Sequence, residues 1–330
     1  MPPHPRIKRR RLLLGGGLLL ALLSLLVSLL IGSADIPASE VLRHLLGNDR
    51  SIDDRIIDEL RLPRSLSAFA VGGVLALAGA LMQVLLRNPL GDPYVLGVSG
   101  GAATAVLGGM LSGLQALWLT PLAFGGALLS VLLVFALGHR AEQGDTNRLL
   151  LSGVVMAAGW GALISLVLSL SPPMQLPGML FWLMGDLSDA LNPWPTLLIL
   201  GLGLAAALWL APQLNLAVYG LQQAATLGVD PKRLRLQLYF LASLLSAGAV
   251  SIAGAIGFVG LITPHLVRLL GGTDHRTLLP VSVLLGGSLL VLADTAARTL
   301  ISPMQLPVGV LTALMGVPLF LWLLARGAQR

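Results

Sequence analysis

Long apolar runs without a charged residue recur along this chain, and they constrain its fold more than any other feature. The stretches 94–137, 149–185 and 299–325 contain no Asp, Glu, Lys or Arg. About 20 apolar residues in a helix span the roughly 30 Å hydrocarbon layer of a bilayer. Only 11% of the 330 residues are charged, against about 25% in soluble domains. We therefore predict an all-α integral membrane protein.

The apolar runs divide into about ten predicted transmembrane segments. Their approximate bounds are 12–32, 64–86, 94–112, 115–137, 148–170, 195–211, 236–257, 262–270, 278–300 and 308–324. The eighth segment, 262–270, is too short to span a bilayer alone and is expected to be a half-helix or a re-entrant piece. The stretch at 177–186, bracketed by Pro177 and Pro193, is predicted to be a short helix at one membrane surface.

The distribution of basic residues orients these segments. The net charge is +6, and the basic residues cluster at segment ends, as at 6–11, 232–235 and 326–330, which is the pattern of the positive-inside rule. The sequence has no basic face interleaved with aromatic residues, the pattern that would indicate nucleic-acid binding. We therefore expect no nucleic-acid partner. The run at 12–30 is longer than a signal-peptide core of about 7–15 residues, so we predict an uncleaved first helix. Both termini are then cytoplasmic.

We predict a single transmembrane domain over residues 1–330. Six spans lie in 12–211, a polar cytoplasmic loop occupies 212–235, and four spans lie in 236–324. Within the loop, residues 219–227 are predicted to form a short helix. Gly228 follows it at the position where a left-handed C-cap favours glycine.

The sequence also repeats internally. A shift of 175 residues superposes Gly73 on Gly248, Ala78-Gly79-Ala80 on Ala253-Gly254-Ala255, and Pro89 on Pro264. The shifted segments cross in opposite directions, which is the inverted repeat found in many transporters. Chance similarity between helices rich in Gly and Ala is the alternative interpretation.

Sequence motifs for catalysis are missing. The chain has no cysteine, no phosphate-binding G-x-x-x-x-G-K-[ST] loop and no zinc-type His-Glu-x-x-His motif. We therefore expect no catalytic residues, no metal site and an external energy source. An intramembrane enzyme would require a catalytic constellation that the sequence lacks.

One ionisable residue, Asp294, lies well inside a predicted span. Such a residue suggests an ion or proton site, but Arg298 follows at the spacing of a helical ion pair. An ion-gradient-driven secondary transporter is therefore the alternative function, although one carboxylate is sparse support for it. If Asp294 pairs only with Arg298, replacement by Asn is expected to leave transport largely intact.

Two groups of motifs resemble one known family. Residues 254–268, Gly-Ala-Ile-Gly-Phe-Val-Gly-Leu-Ile-Thr-Pro-His-Leu-Val-Arg, and Leu-Pro-Val-Gly-Val at 306–310 form the first group. Arg-Leu-Pro-Arg at 61–64 and Arg-Asn-Pro-Leu-Gly-Asp-Pro-Tyr at 87–94 form the second. Together they resemble the FecCD-type iron-chelate and cobalamin permeases of binding-protein-dependent ABC importers, over nearly all of residues 60–324.

The resemblance implies the architecture and partners of a type II ABC importer. It implies a homodimer of ten-helix subunits in the bacterial inner membrane, two cytoplasmic ATP-binding subunits and a periplasmic substrate-binding protein. ATP and magnesium would bind the partner ATPase, and this chain would hold no cofactor. The substrate would be an iron-siderophore, haem or cobalamin-type chelate; the sequence does not distinguish among them.

The resemblance also implies roles for individual residues. Arg61, Arg64 and Arg298 match the external arginines that dock acidic residues of the binding protein, in keeping with bidentate binding of carboxylates by arginine; anchoring of helix ends is the alternative. The residues that match the coupling helix at the ATPase are Tyr219, Gly220, Leu221, Gln222, Ala225, Leu227 and Gly228. The residues that match the cytoplasmic gate are Asn88, Leu90, Thr146 and Asn147, although Asn88-Pro89 is also an ordinary turn signal.

Overall fold

The computed structural model describes residues 5–32, 36–45, 52–139, 146–218 and 220–327, which form helices with no β-strand among them. The fourteen α-helices of this part of the chain are α1 (Pro5–Leu30), α2 (Ala38–Leu45), α3 (Ile52–Ile56), α4 (Leu62–Leu85), α5 (Val98–Leu111), α6 (Ala116–His139), α7 (Thr146–Leu170), α8 (Leu176–Met184), α9 (Trp194–Ala217), α10 (Leu221–Thr226), α11 (Pro231–Ala253), α12 (Val259–Leu269), α13 (His275–Thr299) and α14 (Val308–Gly327). A π-helical turn, Ile57–Arg61, precedes α4, and a 3-10 turn, Pro93–Leu96, precedes α5.

Each of the ten predicted segments corresponds to one apolar helix. Seven helices in the described residues are long and apolar enough to cross a membrane, and α5, α12 and α14 contribute shorter apolar stretches. The eighth segment is α12, only 11 residues long. The short helix expected near 177–186 is α8. The all-α membrane fold predicted from the apolar runs is therefore confirmed.

The predicted loop at 212–235 is shorter in the structure. Helix α9 continues through Pro212 to Ala217, since proline removes one helical hydrogen bond without always ending the helix. Helix α11 begins at Pro231, where a missing N–H costs nothing, and the Asp230 side chain caps it by accepting from the amides of Lys232 and Arg233. The connection is thus reduced to residues 218–230.

The stretch between α1 and α4 is partly helical. It contains α2, α3 and the π-helical turn that continues into α4. Its buried residues Ile36, Val41 and Ile57 form a small cluster with Leu29, separate from the main core. These apolar residues are too widely spaced to give a periodic signal in the sequence.

Helix α4 lies at the centre of the bundle, whereas α7 lies at its periphery. Glycines permit the close contacts around α4: a Cβ atom on Gly72 would lie 2.3 Å from the carbonyl oxygen of Gly286 in α13. Helices in lipid associate through such close backbone approach. Only 11% of the apolar window of α7 is buried, so most of its surface faces lipid or another protein.

The internal repeat is retained in helix packing but not in every residue's role. A Cβ atom added to Gly73 of α4 would lie against Leu200 of α9, and one added to Gly248 of α11 would lie against the adjacent Ile199. By contrast, Gly79 lies inside α4, whereas its counterpart Gly254 ends α11 with a φ of +66°. Helix α11 therefore stops earlier than the predicted bound of 257.

Candidate functional site

The three arginines assigned to docking lie in one polar network where α4 begins and α13 ends. Arg64 donates to the Asp294 carboxylate from Nε at 3.1 Å and from Nη2 at 2.8 Å. Nε of Arg298 lies 3.1 Å from the second Asp294 oxygen. The helical ion pair considered from the sequence is therefore present, but Asp294 also joins α13 to α4.

The network extends to α1 through two serines. Nη2 of Arg298 donates to Ser28 at 2.9 Å, and the Ser28 and Ser65 hydroxyls lie 2.7 Å apart. Nη1 of Arg61 donates to the carbonyl oxygen of Leu29 at 2.6 Å. One polar cluster therefore fixes the ends of three helices.

Sequence reasoning missed Gln305 as a member of this network. With its amide oxygen turned toward Arg64, Gln305 accepts from Nη1 at 2.7 Å. It belongs to the Pro-Met-Gln-Leu-Pro segment at 303–307, which also occurs at 173–177. That second copy was the only signal in the sequence, and it does not indicate a partner.

Burial limits how these arginines could meet another protein. The exposed fractions are 4% for Arg61 and 8% for Arg298, and 11% for the Arg64 side chain. Their guanidinium groups have internal partners, so a docking carboxylate would have to add to or replace those contacts. The docking role stays a prediction, and charge reversal at Arg61 and Arg64 would disturb folding as well as docking.

The predicted coupling segment forms a short exposed helix, α10. Gly228 has a φ of +88° and its amide donates to Ala225 at 3.1 Å, which confirms the predicted left-handed C-cap. Ala224 is wholly buried and holds the segment to the bundle, whereas Leu227 is 66% exposed. Ala225 is also exposed, and Gly220, with a φ of +113°, precedes the helix.

Part of that prediction lies beyond what the structure describes. Tyr219 lies outside the described residues, as do the side chains of Leu221 and Gln222. Leu227 is the most exposed large apolar side chain described in this segment, and its contact with an ATPase stays a prediction.

The first predicted gate segment is a tight turn after α4. Asn88 accepts from the amide of Leu90 at 2.9 Å, so the turn role considered for Asn88 is present, and both residues are exposed. Nearby, burial raises the pKa of the Asp92 carboxyl to about 6, and the hydrogen bond from the Tyr94 amide partly offsets this.

The second predicted gate segment begins α7. Thr146 and Asn147 are its first two residues, and their side chains lie outside the described part. Further along α7, a Cβ atom on Gly153 would lie 2.0 Å from the carbonyl oxygen of Val95. The structure therefore places α7 directly against the turn that follows the first gate segment.

A cavity opens where α11 gives way to α12. Residues 254–258 are not helical, and Phe258 has a φ of +70°. The cavity has a volume of about 580 Å³ and is lined by apolar residues of this break and of α14, with Met184 at the end of α8. Irregular backbone at membrane depth occurs where it is enclosed by protein or lines a cavity.

A second polar junction, also missed from the sequence, connects α9 to α13. Asn215, near the end of α9, hydrogen-bonds both Asp274 and His275. Asn215 was assigned to the polar loop, where an asparagine carries no specific signal, and its two partners are 59 and 60 residues away. Only the tertiary structure brings these residues together.

Comparisons with known proteins agree with this architecture. The FecCD transport family model matches residues 19–326. The hemin transport system permease protein HmuU of Yersinia pestis is 42% identical over 325 residues, covering 94% of this chain and 95% of that protein. The cobalamin import system permease protein BtuC of Halobacterium salinarum is 43% identical over 274 residues, covering 82% and 73%.

A solved structure is similar over almost the whole chain. It is described as an inward-facing conformation of a metal-chelate type ABC transporter, with a TM-score of 0.84, 33% sequence identity, and coverage of 98% of this chain and 100% of that one. From the family match and these full-length similarities we conclude that this chain belongs to the FecCD transport family.

Proposed function

We propose that this chain is the transmembrane permease subunit of an ABC importer for a metal chelate of the haem, cobalamin or ferric-siderophore class. The observation that carries this proposal is the full-length similarity, in sequence and fold, to permeases and a transporter of that type. In the proposed importer, two copies enclose the pathway in the bacterial inner membrane, with both termini in the cytoplasm. Two ATPase subunits bind from the cytoplasm, and a binding protein delivers the chelate from the periplasm.

The chemistry of the chain supports a non-catalytic role that depends on partners. It has no phosphate-binding loop of its own, so transport driven by ATP requires a separate ATPase. The cavity between the helix break and α14 is lined by apolar residues, in keeping with the weak binding that release of a transported ligand requires. The low burial of α7 leaves a surface that lipid or the proposed second copy can cover.

The decisive experiment is purification of the tagged chain from its native host in mild detergent. We expect a stoichiometric subunit with a phosphate-binding loop to copurify. The complex is then placed in proteoliposomes and tested for ATP-dependent uptake of haem, cobalamin and ferric citrate. Transport by the chain alone under a proton or sodium gradient would instead support the secondary transporter.

The coupling segment gives a specific prediction for this complex. Replacement of Leu227 by Glu is expected to lower ATPase copurification by roughly tenfold, because a charge would replace an exposed apolar contact worth about 1–2 kcal/mol. The melting temperature of the permease alone should not change, since Leu227 is 66% exposed. Quantitative immunoblotting of the copurified ATPase measures the effect.

A matched control for this prediction is Leu191→Glu. Leu191 is also exposed, at 42%, but it lies before α9, at the opposite end of that helix from the coupling segment. We expect its copurification to equal that of the unmodified chain. Copurification of the usual amount of ATPase with Leu227→Glu would show that Leu227 does not contact the ATPase.

A further inference from the structure

The polar junction between α9 and α13 is built around one side chain, Asn215. Its Nδ2 donates to Oδ1 of Asp274 at 2.7 Å. Its Oδ1 accepts from the backbone amide of His275 at 2.8 Å and lies 2.7 Å from Nδ1 of the same histidine. Since that oxygen can only accept, the contact assigns the proton of a neutral His275 ring to Nδ1.

Asp274 has a second role in the same junction. It is the N-cap of α13 and accepts from the amide of Arg276 at 2.9 Å. Desolvation raises the pKa of Asp274, but the hydrogen bonds from Asn215 and Arg276, with the charges of Arg276 and Arg10, hold it below its ordinary value. The carboxylate is therefore ionised, and its own bond to the amide of Arg276 does not involve Asn215.

The position of Asn215 relates this junction to the coupling segment. It lies in the last turn of α9, which ends at Ala217, and α10 begins at Leu221. Val218 donates to Leu214 and Gly220 donates to Ala217, so the described residues on either side of position 219 are bonded back to the end of α9. Asn215 and the first residue of α10 are therefore only six positions apart in the chain, and Gly220 is bonded to the end of α9.

Helix α13 extends this connection across the protein. Its 25 residues correspond to about 37 Å, more than the hydrocarbon thickness of a bilayer. Its first residue, His275, is held by Asn215, and its last turns carry Asp294 and Arg298 of the polar network. His275 is 1% exposed, so loss of Asn215 would leave its amide buried without this acceptor.

We propose that Asn215 is a positioning residue for energy coupling. It ties the end of α9, which leads into α10, to the N-terminus of α13, so that the ATPase moves α13 together with α10. This inference rests on the proposed function. A residue that only stabilised α13 would affect its first turn equally with and without nucleotide. A positioning residue is required for the response of α13 to nucleotide.

The test uses the permease complexed with its copurified ATPase in nanodiscs. Hydrogen exchange of residues 275–279 is measured by mass spectrometry without nucleotide and with MgATP and vanadate. In the unmodified complex we expect vanadate trapping to change this exchange. In Asn215→Ala we expect that change to shrink by about tenfold, the effect of losing hydrogen bonds to a buried group. Asp274 still caps α13 in this variant.

A charge swap provides the rescue. Asn215→Asp alone places two carboxylates together and should also lose the response. Asn215→Asp combined with Asp274→Asn restores the contact with its direction reversed, because the new amide at position 274 donates to the new carboxylate at position 215. That carboxylate can still accept from His275. We expect the double variant to recover the nucleotide response to within about twofold, the usual scatter of one hydrogen bond's effect.

The matched control is Asn192→Ala at the other end of α9. Asn192 accepts from the amide of Trp194 at 3.3 Å, so one asparagine hydrogen bond is removed without touching α13. A normal nucleotide response in Asn215→Ala, or failure of the swap to restore it, would overturn the inference. An unmodified chain that binds no ATPase would overturn the proposed function itself, and the inference with it.

Discussion

Replacement of Gly79 by alanine is expected to remove most of the folded protein, although it adds a single methyl group. A Cβ atom at this position would lie 1.9 Å from the carbonyl oxygen of Gly260 and 2.4 Å from its carbonyl carbon. Both atoms belong to the backbone of α12, which cannot rotate away as a side chain can. Helices α4 and α12 would have to separate.

Separation of these helices also breaks the polar contact beside the crossing. Nε2 of Gln83 donates to the carbonyl oxygen of Leu261 at 3.1 Å, and Arg268 donates to the amide oxygen of Gln83. Overpacking costs about 1–3 kcal/mol when side chains can adjust. We expect Gly79→Ala to lower the free energy of unfolding by about 3 kcal/mol or more, because here only backbone atoms can move to relieve the overlap.

Two other glycines calibrate this prediction. Gly203→Ala would bring its Cβ to 2.4 Å from Cδ2 of Leu245, the end of a flexible side chain, so a smaller loss is expected. Gly125 has nothing within 4 Å of the added atom, and alanine is the better helix former. Melting temperature and monodisperse yield in detergent should both be highest for Gly125→Ala, intermediate for Gly203→Ala and lowest for Gly79→Ala. A Gly79→Ala protein as stable as the unmodified one would refute the crossing.

Replacement of Asp294 by asparagine is expected to destabilise the protein by about 3–5 kcal/mol, the usual effect of removing one partner from a buried ion pair. Asp294 is 1% exposed and lies between two arginines, Arg64 and Arg298. The expectation that this substitution leaves transport intact depended on pairing with Arg298 alone. Because Asp294 also contacts Arg64, that condition is not met. Its replacement by Asn would leave both Arg64 and Arg298 buried without their carboxylate.

The melting temperature of the purified variant measures this effect. Asp189→Asn is the matched control, since it makes the same change at a carboxylate outside the buried network and should leave stability unaffected. Equal melting temperatures for the two variants would contradict the assigned role of Asp294.

A triple variant separates stability from docking in the same network. Replacing Arg64 and Arg298 by Met together with Asp294 by Leu removes both ion pairs of Asp294 at once, while Arg61 keeps its bond to the carbonyl oxygen of Leu29. Such apolar replacement of a buried ionic cluster is often neutral or stabilising. We expect a folded protein that has lost affinity for the binding protein. Undiminished affinity would show that these two arginines serve packing between α4 and α13 only.

The sequence by itself determined the membrane class, the number of apolar helices and several ends. Apolar runs of about 20 residues have no stable arrangement in water but match a bilayer, so the ten segments could be counted before any contact was known. Local chemistry was equally readable: Gly228 provides a left-handed C-cap because glycine alone takes that conformation without strain. Such features depend on neighbours in the chain.

Only the tertiary structure decided which polar residues meet. Asp294 and Arg64 are 230 residues apart, and Asn215 contacts residues 59 and 60 positions away, so neither pairing has a local signal. Pro212 looked like a helix end, yet α9 continues through it because packing in the bundle outweighs one lost hydrogen bond. In a low-dielectric interior each polar group requires a partner, and the fold selects that partner from residues the sequence keeps far apart.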